Sequence, residues 1–94
     1  MVIQGMENTV SVTLEEMIYH CKAVKIGAGK THVVCDLPFL SYQVSTKQGI
    51  ENAGRVLKET NCDAIKVEGA NNKILRLVRN LSEIGVPVMG HLGL

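Results

Sequence analysis

The chain has 94 residues and a mass of 10.2 kDa, which suffices for one small domain and is too little for two. Hydrophobic residues make up 46% of it and charged residues 20%, a globular composition that excludes an intrinsically disordered chain. Ten lysines and arginines against nine aspartates and glutamates give a net charge of +1, and aromatics are only 3%, so we expect neither nucleic-acid nor membrane binding.

The first predicted helix follows a capping-box pattern, Thr13-x-x-Glu16, whose hydroxyl and carboxylate can accept hydrogen bonds from the first turn. Gly27 and Gly29 supply its stop. The apolar residues between recur at helical spacing and are expected to face the core: Leu14, Met17, Ile18, Cys21 and Val24. Segment 32–37 comes next, and its continuous apolar centre is typical of a buried strand in a parallel sheet.

A second helix and a second strand follow. Ser45-x-x-Gln48 is another capping-box pattern, and an apolar stripe continues from it to Thr60. Four residues form that stripe: Ile50, Ala53, Val56 and Leu57. The second strand is predicted at 64–67, directly before a polar Glu68.

The third unit consists of a helix from Asn72 to Ile84, capped by Gly85, and a strand over 86–89. The inward residues of this helix are Ile74, Leu77, Val78, Leu81 and Ile84. The order α-β-α-β-α-β predicts parallel βα units with the helices outside the sheet.

The strands centre near residues 34, 66 and 88, at separations of 32 and 22 residues. A (β/α)8 TIM barrel allots about 31 residues to each unit. A doubly wound open sheet accommodates the same units, so periodicity leaves both folds open. Three parallel strands are an incomplete sheet in either case, and we expect residues 1–94 to form a single partial α/β domain.

Polar residues lie at the carboxyl ends of the predicted strands, where barrel enzymes place their active sites. Asp36 ends the first strand, Glu68 follows the second and His91 follows the third. Lys66 and Glu68 are two residues apart, so they point to the same face of a strand. A structural ion pair would explain that couple alone, but Asp36 and His91 at matching ends favour a functional site.

Two carboxylates and a lysine suggest a specific chemistry. Asp36 and Glu68 offer the hard oxygen ligands that suit Mg²⁺, which leaves positions for substrate oxygens. A 2-oxo acid could chelate that ion, which would stabilise an enolate as a Lewis acid, while Lys66 adds positive charge near the oxyanion. The three histidines share no zinc-ligand spacing.

The cysteines and the N-terminal residues bear on compartment. Cys21, Cys35 and Cys62 form an odd set without C-x-x-C spacing, which favours free thiols in a reducing compartment. The first residues show no signal-peptide pattern, and no apolar stretch approaches the length of a membrane span. We therefore expect a cytoplasmic protein.

Five segments resemble signatures of the ketopantoate hydroxymethyltransferase family, in the family's order. Three of them carry the polar strand ends: Val34–Phe39 (VCDLPF), Ile65–Gly69 (IKVEG) and Gly90–Leu94 (GHLGL). The other two are Val2–Gly5 and Met17–His20. Any one of them would be weak, whereas five in register are specific.

The resemblance implies a slice of a (β/α)8 TIM barrel of the phosphoenolpyruvate/pyruvate-binding superfamily, with about three βα units. Members of the family transfer a hydroxymethyl group from 5,10-methylenetetrahydrofolate to 3-methyl-2-oxobutanoate, giving 2-dehydropantoate for pantothenate biosynthesis through a Mg²⁺-stabilised enolate. By family pattern, Asp36 and Glu68 are metal ligands, Asp36 and Lys66 contact the oxo acid, and His91 lies at the substrate pocket. A homo-oligomer is implied, and no residue is assigned to the folate.

The sequence also departs from the family pattern. An Asp-Ser pair is expected before Met1 and the general-base glutamate downstream of Leu94, while Met6 and Glu7 replace a common His-Asp. We therefore expect no general base in this segment and no catalysis by these 94 residues alone. Two alternatives stay open: a non-catalytic fragment that is stable only by association, and another enolate-forming lyase or mutase of the same superfamily.

Overall fold

The computed structural model describes residues 12–91. Helices and strands alternate through them: α1 Leu14–Ala28, β1 Val34–Asp36, α2 Thr46–Thr60, β2 Ala64–Glu68, α3 Asn72–Glu83 and β3 Val88–His91. The predicted order is confirmed. The family-like segment Val2–Gly5, the Met6–Glu7 departure and residues 92–94 lie outside the described residues. Within 12–91, no helix has the length and apolarity needed to cross a membrane.

The three strands form a parallel sheet in the order β1-β2-β3, as predicted for consecutive βα units. From Ile65 to Glu68, the side chains of the central strand alternate between two environments. Ile65 and Val67 are almost fully buried beneath the helices, whereas Lys66 and Glu68 lie on the other face and are more exposed. Helix α2 packs between α1 and α3, so the helices cover one face of the sheet. This α/β arrangement is consistent with part of a barrel.

Side chains cap all three helices at their N-termini. The Thr13 hydroxyl accepts a hydrogen bond from the Glu16 N–H, and Glu16 accepts in return from the Thr13 N–H, which confirms the predicted capping box. Ser45 also accepts from the Gln48 N–H. The Gln48 side chain, however, accepts from the N–H of Val44 instead of that of Ser45, so the reciprocal half of the second predicted box is displaced by one residue.

The predicted inward faces are confirmed except at two helix ends. Val24 is 41% exposed, because the last turn of α1 directs Lys25 and Ala28 toward the sheet instead. Ile84 is 63% exposed, since α3 ends at Glu83 and the chain turns away. Val86 is the next buried apolar residue, and its N–H donates to the Leu81 carbonyl.

All three strands differ in extent from their predictions, the second only because it includes Glu68. Strand β1 is shorter than 32–37 at both ends, and before its first residue the Val33 N–H donates to the side chain of Asp63. Strand β3 begins two residues later than predicted, since Val86 is still bonded to α3 and Pro87 has no N–H to donate.

The prediction of three free thiols was wrong. Cys21 of α1 and Cys35 of β1 are both fully buried and form a disulfide, while Cys62 is free and buried. The reason is the packing of α1 on β1, which brings two core-facing positions together across the helix–sheet interface.

Candidate functional site

The candidate site is built on the carboxyl ends of β1 and β2. Asp36 is the last residue of β1 and lies beside Lys66 of β2 in the parallel register. The Lys66 ammonium nitrogen is 3.8 Å from Asp36 Oδ1, and each side chain is 30% exposed. A half-buried lysine needs a compensating charge. Asp36 supplies that charge, and the two side chains form an ion pair across the neighbouring strands.

Glu68 and His91 extend this edge of the sheet. Each is the last residue of its strand, and the two are Cα partners in the register between β2 and β3. Glu68 is exposed and lies on the same face of β2 as Lys66. The backbone thus brings all four predicted site residues, Asp36, Lys66, Glu68 and His91, to one end of the sheet.

A glycine follows Glu68 for a conformational reason. Gly69 has a φ of +119°, which residues with a side chain rarely adopt. A Cβ there would also lie 3.3 Å from Cγ1 of the buried Ile74. The chain can therefore turn sharply from the end of β2 into α3 and leave Glu68 at the edge of the sheet.

The loop between β1 and α2 is held in place by side chains of α2. The Gln48 amide nitrogen donates to the Leu40 carbonyl at 2.8 Å, and the Asn52 amide nitrogen donates to the Ser41 carbonyl at 2.7 Å. Such side-chain bonds satisfy loop backbone groups that no strand partner reaches. A fixed loop therefore flanks Asp36 on the side of α2.

Tyr42 lies in this loop, and the sequence reasoning did not find it. Its side chain is buried, and its hydroxyl oxygen is 3.1 Å from the Glu68 N–H nitrogen, from which it accepts. Burial raises the pKa of Tyr42; the hydrogen bond with the Glu68 backbone opposes this, while the negative charges of Glu68 and Asp36 raise it further. The hydroxyl therefore stays protonated. The only signal in the sequence is its place shortly after a predicted strand end.

A second lysine–aspartate pair lies at the opposite end of the sheet. Asp63 directly precedes β2 and accepts from the Val33 N–H at 2.8 Å and from the Lys25 ammonium at 2.9 Å. The Val33 hydrogen bond is the main cause that lowers the pKa of Asp63, followed by the hydrogen bond from Lys25. These contacts join α1, β1 and the start of β2, so the pair is structural. The sequence reasoning did not find it either.

The donor groups at the candidate site fit a magnesium ion in chemical type. Asp36 and Glu68 carry carboxylates on neighbouring strand ends, and Mg²⁺ binds proteins through one or two carboxylates while it keeps water or substrate oxygens. Within residues 12–91, no group of three or more His, Cys, Asp or Glu side chains lies close enough to hold a metal ion. A site here would therefore take its remaining ligands from solvent, substrate or residues beyond 12–91.

Comparison with known proteins identifies the family of sequences to which these features belong. The model of the family described as ketopantoate hydroxymethyltransferase matches residues 1–94. Three relatives are named 3-methyl-2-oxobutanoate hydroxymethyltransferase. The protein of Leptospira interrogans is 58% identical, that of Trichodesmium erythraeum 53% and that of Clostridioides difficile 50%, each over 94 residues and the whole of this chain. The chain spans 34% to 36% of the lengths of these relatives.

Proposed function

The chain belongs to the ketopantoate hydroxymethyltransferase family, and from this premise we propose that it forms the oxo-acid-binding part of such a transferase. The proposed reaction moves a hydroxymethyl group from 5,10-methylenetetrahydrofolate to 3-methyl-2-oxobutanoate and gives 2-dehydropantoate. The observation that carries this proposal is the juxtaposition of the Asp36–Lys66 ion pair with Glu68 at the carboxyl end of the sheet.

In the proposed complete fold, the three βα units described above are consecutive units of a (β/α)8 barrel. The open face of the sheet, which carries Lys66 and Glu68, would then line the barrel interior. The carboxyl ends of the strands would form its active-site end, as in other barrels of this type. The alternation of buried and more exposed residues along β2 supports this orientation.

Magnesium would be held by the carboxylates of Asp36 and Glu68. When bound, Mg²⁺ supplies positive charge that stabilises negative charge on a keto oxygen. The two carboxylates contribute the negative charge that attracts the ion to this edge of the sheet.

Lys66 has two proposed tasks in the same site. Its ammonium group balances the charge of Asp36 at a separation of 3.8 Å. With an oxo acid present, the same ammonium binds the negative charge of the substrate and favours a transition state in which charge grows on oxygen. In the same proposal, Asp36 also contacts the oxo acid, and His91 lies at the substrate pocket.

The proton and the one-carbon donor are assigned beyond the described residues. The base that removes the substrate proton is proposed to be a glutamate beyond Leu94 in a longer polypeptide. The folate and a homo-oligomeric assembly complete the proposed protein. For this segment, the proposal is therefore binding and charge stabilisation, without proton abstraction.

The proposal can be tested in a chimera in which residues 1–94 replace the aligned segment of the Leptospira interrogans relative. We expect hydroxymethyl transfer to 3-methyl-2-oxobutanoate that depends on Mg²⁺ and the folate. The Glu68→Gln chimera should bind Mg²⁺ at least about 10-fold more weakly and lose activity in proportion. Glu51→Gln is the matched control, because Glu51 is exposed on α2 and paired only loosely, at 3.9 Å, with Lys47.

Two results would contradict the proposal. The first is a folded chimera that does not turn over 3-methyl-2-oxobutanoate but accepts another oxo acid, which would favour a lyase or mutase. The second is a Glu68→Gln chimera whose Mg²⁺ affinity equals that of Glu51→Gln.

A further inference from the structure

We propose that Tyr42 is a positioning residue for Glu68. Its hydroxyl holds the backbone at the end of β2 in place and thereby limits the positions that the Glu68 carboxylate can reach. This inference rests on the proposed function, in which Glu68 is a metal ligand. It concerns a residue outside the strands, in the loop between β1 and α2.

The hydrogen bonds of Tyr42 take the place of strand pairing. The Leu37 N–H donates to the Lys66 carbonyl at 3.0 Å, which is the last bond between the β1 side and β2. In a regular parallel ladder, the next N–H of β2, that of Glu68, would donate back to the first strand. Strand β1 has ended by then, and the Glu68 N–H donates to the Tyr42 hydroxyl at 3.1 Å. The hydroxyl is also 3.5 Å from the Glu68 carbonyl oxygen.

The tyrosine itself is held from the opposite side. Gly49 in the first turn of α2 has no side chain, and a Cβ at that position would lie 3.2 Å from Tyr42 Cβ and 2.8 Å from both Cδ atoms of Leu77. The close approach of α2 therefore leaves Tyr42 little room to move away. Tyr42 as a whole is only 4% exposed, so its ring is packed into the core while its hydroxyl reaches the Glu68 backbone.

This arrangement matters for metal binding because Glu68 is the final residue of β2. The following Gly69 turns the chain with a positive φ, so Glu68 is held in strand conformation by the residues before it and not by those after it. Without the Tyr42 hydroxyl, the Glu68 peptide group would lose its hydrogen-bond acceptor at a half-buried position. The carboxylate would then sample more positions and bind a cation more weakly.

The experiment compares Tyr42→Phe with Tyr19→Phe in the chimera. The chain has two tyrosines, and Tyr19 is a matched control because its ring is 72% exposed on α1. Three quantities are measured: the Kd of Mn²⁺, used as a paramagnetic probe of the magnesium site, the exchange rate of the Glu68 amide proton, and kcat with KM. Glu68→Gln is measured alongside.

We expect Tyr42→Phe to weaken Mn²⁺ binding about three- to tenfold, the effect of one ordinary hydrogen bond, and to speed exchange of the Glu68 amide. The amides of Ile65 and Val67 should keep their protection, and Tyr19→Phe should change none of these quantities. At saturating metal, the kcat of Tyr42→Phe should return to that of the parent chimera, because the substitution loosens the Glu68 carboxylate without removing it.

The outcomes separate this inference from the proposed function. If Tyr42→Phe lowers the Tm but leaves the Mn²⁺ Kd unchanged while Glu68→Gln raises it, Tyr42 is merely structural and the inference is wrong. If Glu68→Gln itself leaves the Kd unchanged, the metal assignment fails first, and the positioning role fails with it.

Discussion

Each end of the sheet carries a lysine–aspartate pair, and the two pairs differ in how closely their charged groups approach. At one end Asp63 accepts two short hydrogen bonds, at 2.9 Å from Lys25 and at 2.8 Å from the Val33 N–H. At the other end Asp36 and Lys66 stand 3.8 Å apart, beyond hydrogen-bonding distance. Exposure does not explain the contrast, since the side chains are 23% and 29% exposed in the first pair and 30% each in the second.

The difference lies in what each pair joins. Asp63 and Lys25 link α1 to the beginning of β2, and the backbone of Val33 completes the arrangement. Asp36 and Lys66 are neighbours on two adjacent strands, where the register already holds them together. A tightly bonded pair stabilises the fold, whereas a loose pair can accept a ligand between its charges at little cost. Geometry, not residue type, therefore distinguishes the structural end from the candidate site.

The largest expected effect separates the two lysines. Lys66→Met in the chimera should lower kcat/KM about 100-fold, because it removes positive charge from the place where negative charge is proposed to develop. Its Tm should change little, since the ion pair it breaks has no short hydrogen bond. Steady-state kinetics and thermal unfolding measure the two quantities on the same sample.

Lys25→Met is the matched control at the structural end. It should lower the Tm and leave kcat/KM within the range of the parent chimera. A loss of kcat/KM in Lys25→Met as large as that in Lys66→Met would erase the proposed distinction between the ends.

The next effect tests how α2 supports the site. Gly49→Ala should destabilise the chimera by about 1–3 kcal/mol, because the new methyl group would overpack the fully buried Leu77 and displace Tyr42. Gly54 lies in the same helix with open space around it. Gly54→Ala should instead stabilise by about 0.5–1 kcal/mol through helix propensity. Urea unfolding measures both, and equal effects of the two substitutions would show that Gly49 is not needed for close packing.

Much of the architecture could be predicted from the sequence because it depends on local signals. The Thr13 capping box, the buried stripe of α3 and the polar residue at the end of β1 each follow from spacing within one element. The shared position of Asp36, Glu68 and His91 at one end of the sheet followed from the rule that parallel strands share their carboxyl ends.

The features that were missed or wrong depend on contacts between distant segments. Lys25 and Asp63 are 38 positions apart, and Tyr42 and Glu68 are 26 apart, so no local pattern links them. The exposed Val24 is a case of the same kind, because its neighbour Lys25 reaches Asp63, a residue far along the chain.

A smaller effect, visible mainly through pH, concerns Asp63. Its pKa is lowered in the folded state, so its carboxylate stabilises the fold above the ordinary Asp pKa of 3.8, and that contribution is lost as the pH falls through the folded-state value. Asp63→Asn should therefore unfold at a lower urea concentration than the parent chimera near neutral pH. The difference between the urea midpoints of the two proteins should narrow once the pH falls below 3.8. A difference that is independent of pH would contradict the role of the charge.

The most direct test of the division between the two ends is a matched pair of substitutions, Asp36→Asn and Asp63→Asn, each measured in the chimera for kcat/KM and for the urea midpoint near neutral pH. We expect the two variants to lose different properties. Asp36→Asn should lose activity and keep its midpoint, while Asp63→Asn should lower its midpoint and keep its activity. If both variants lose activity, if both unfold at a lower urea midpoint, or if Asp36→Asn retains full activity, the two ends do not differ as proposed.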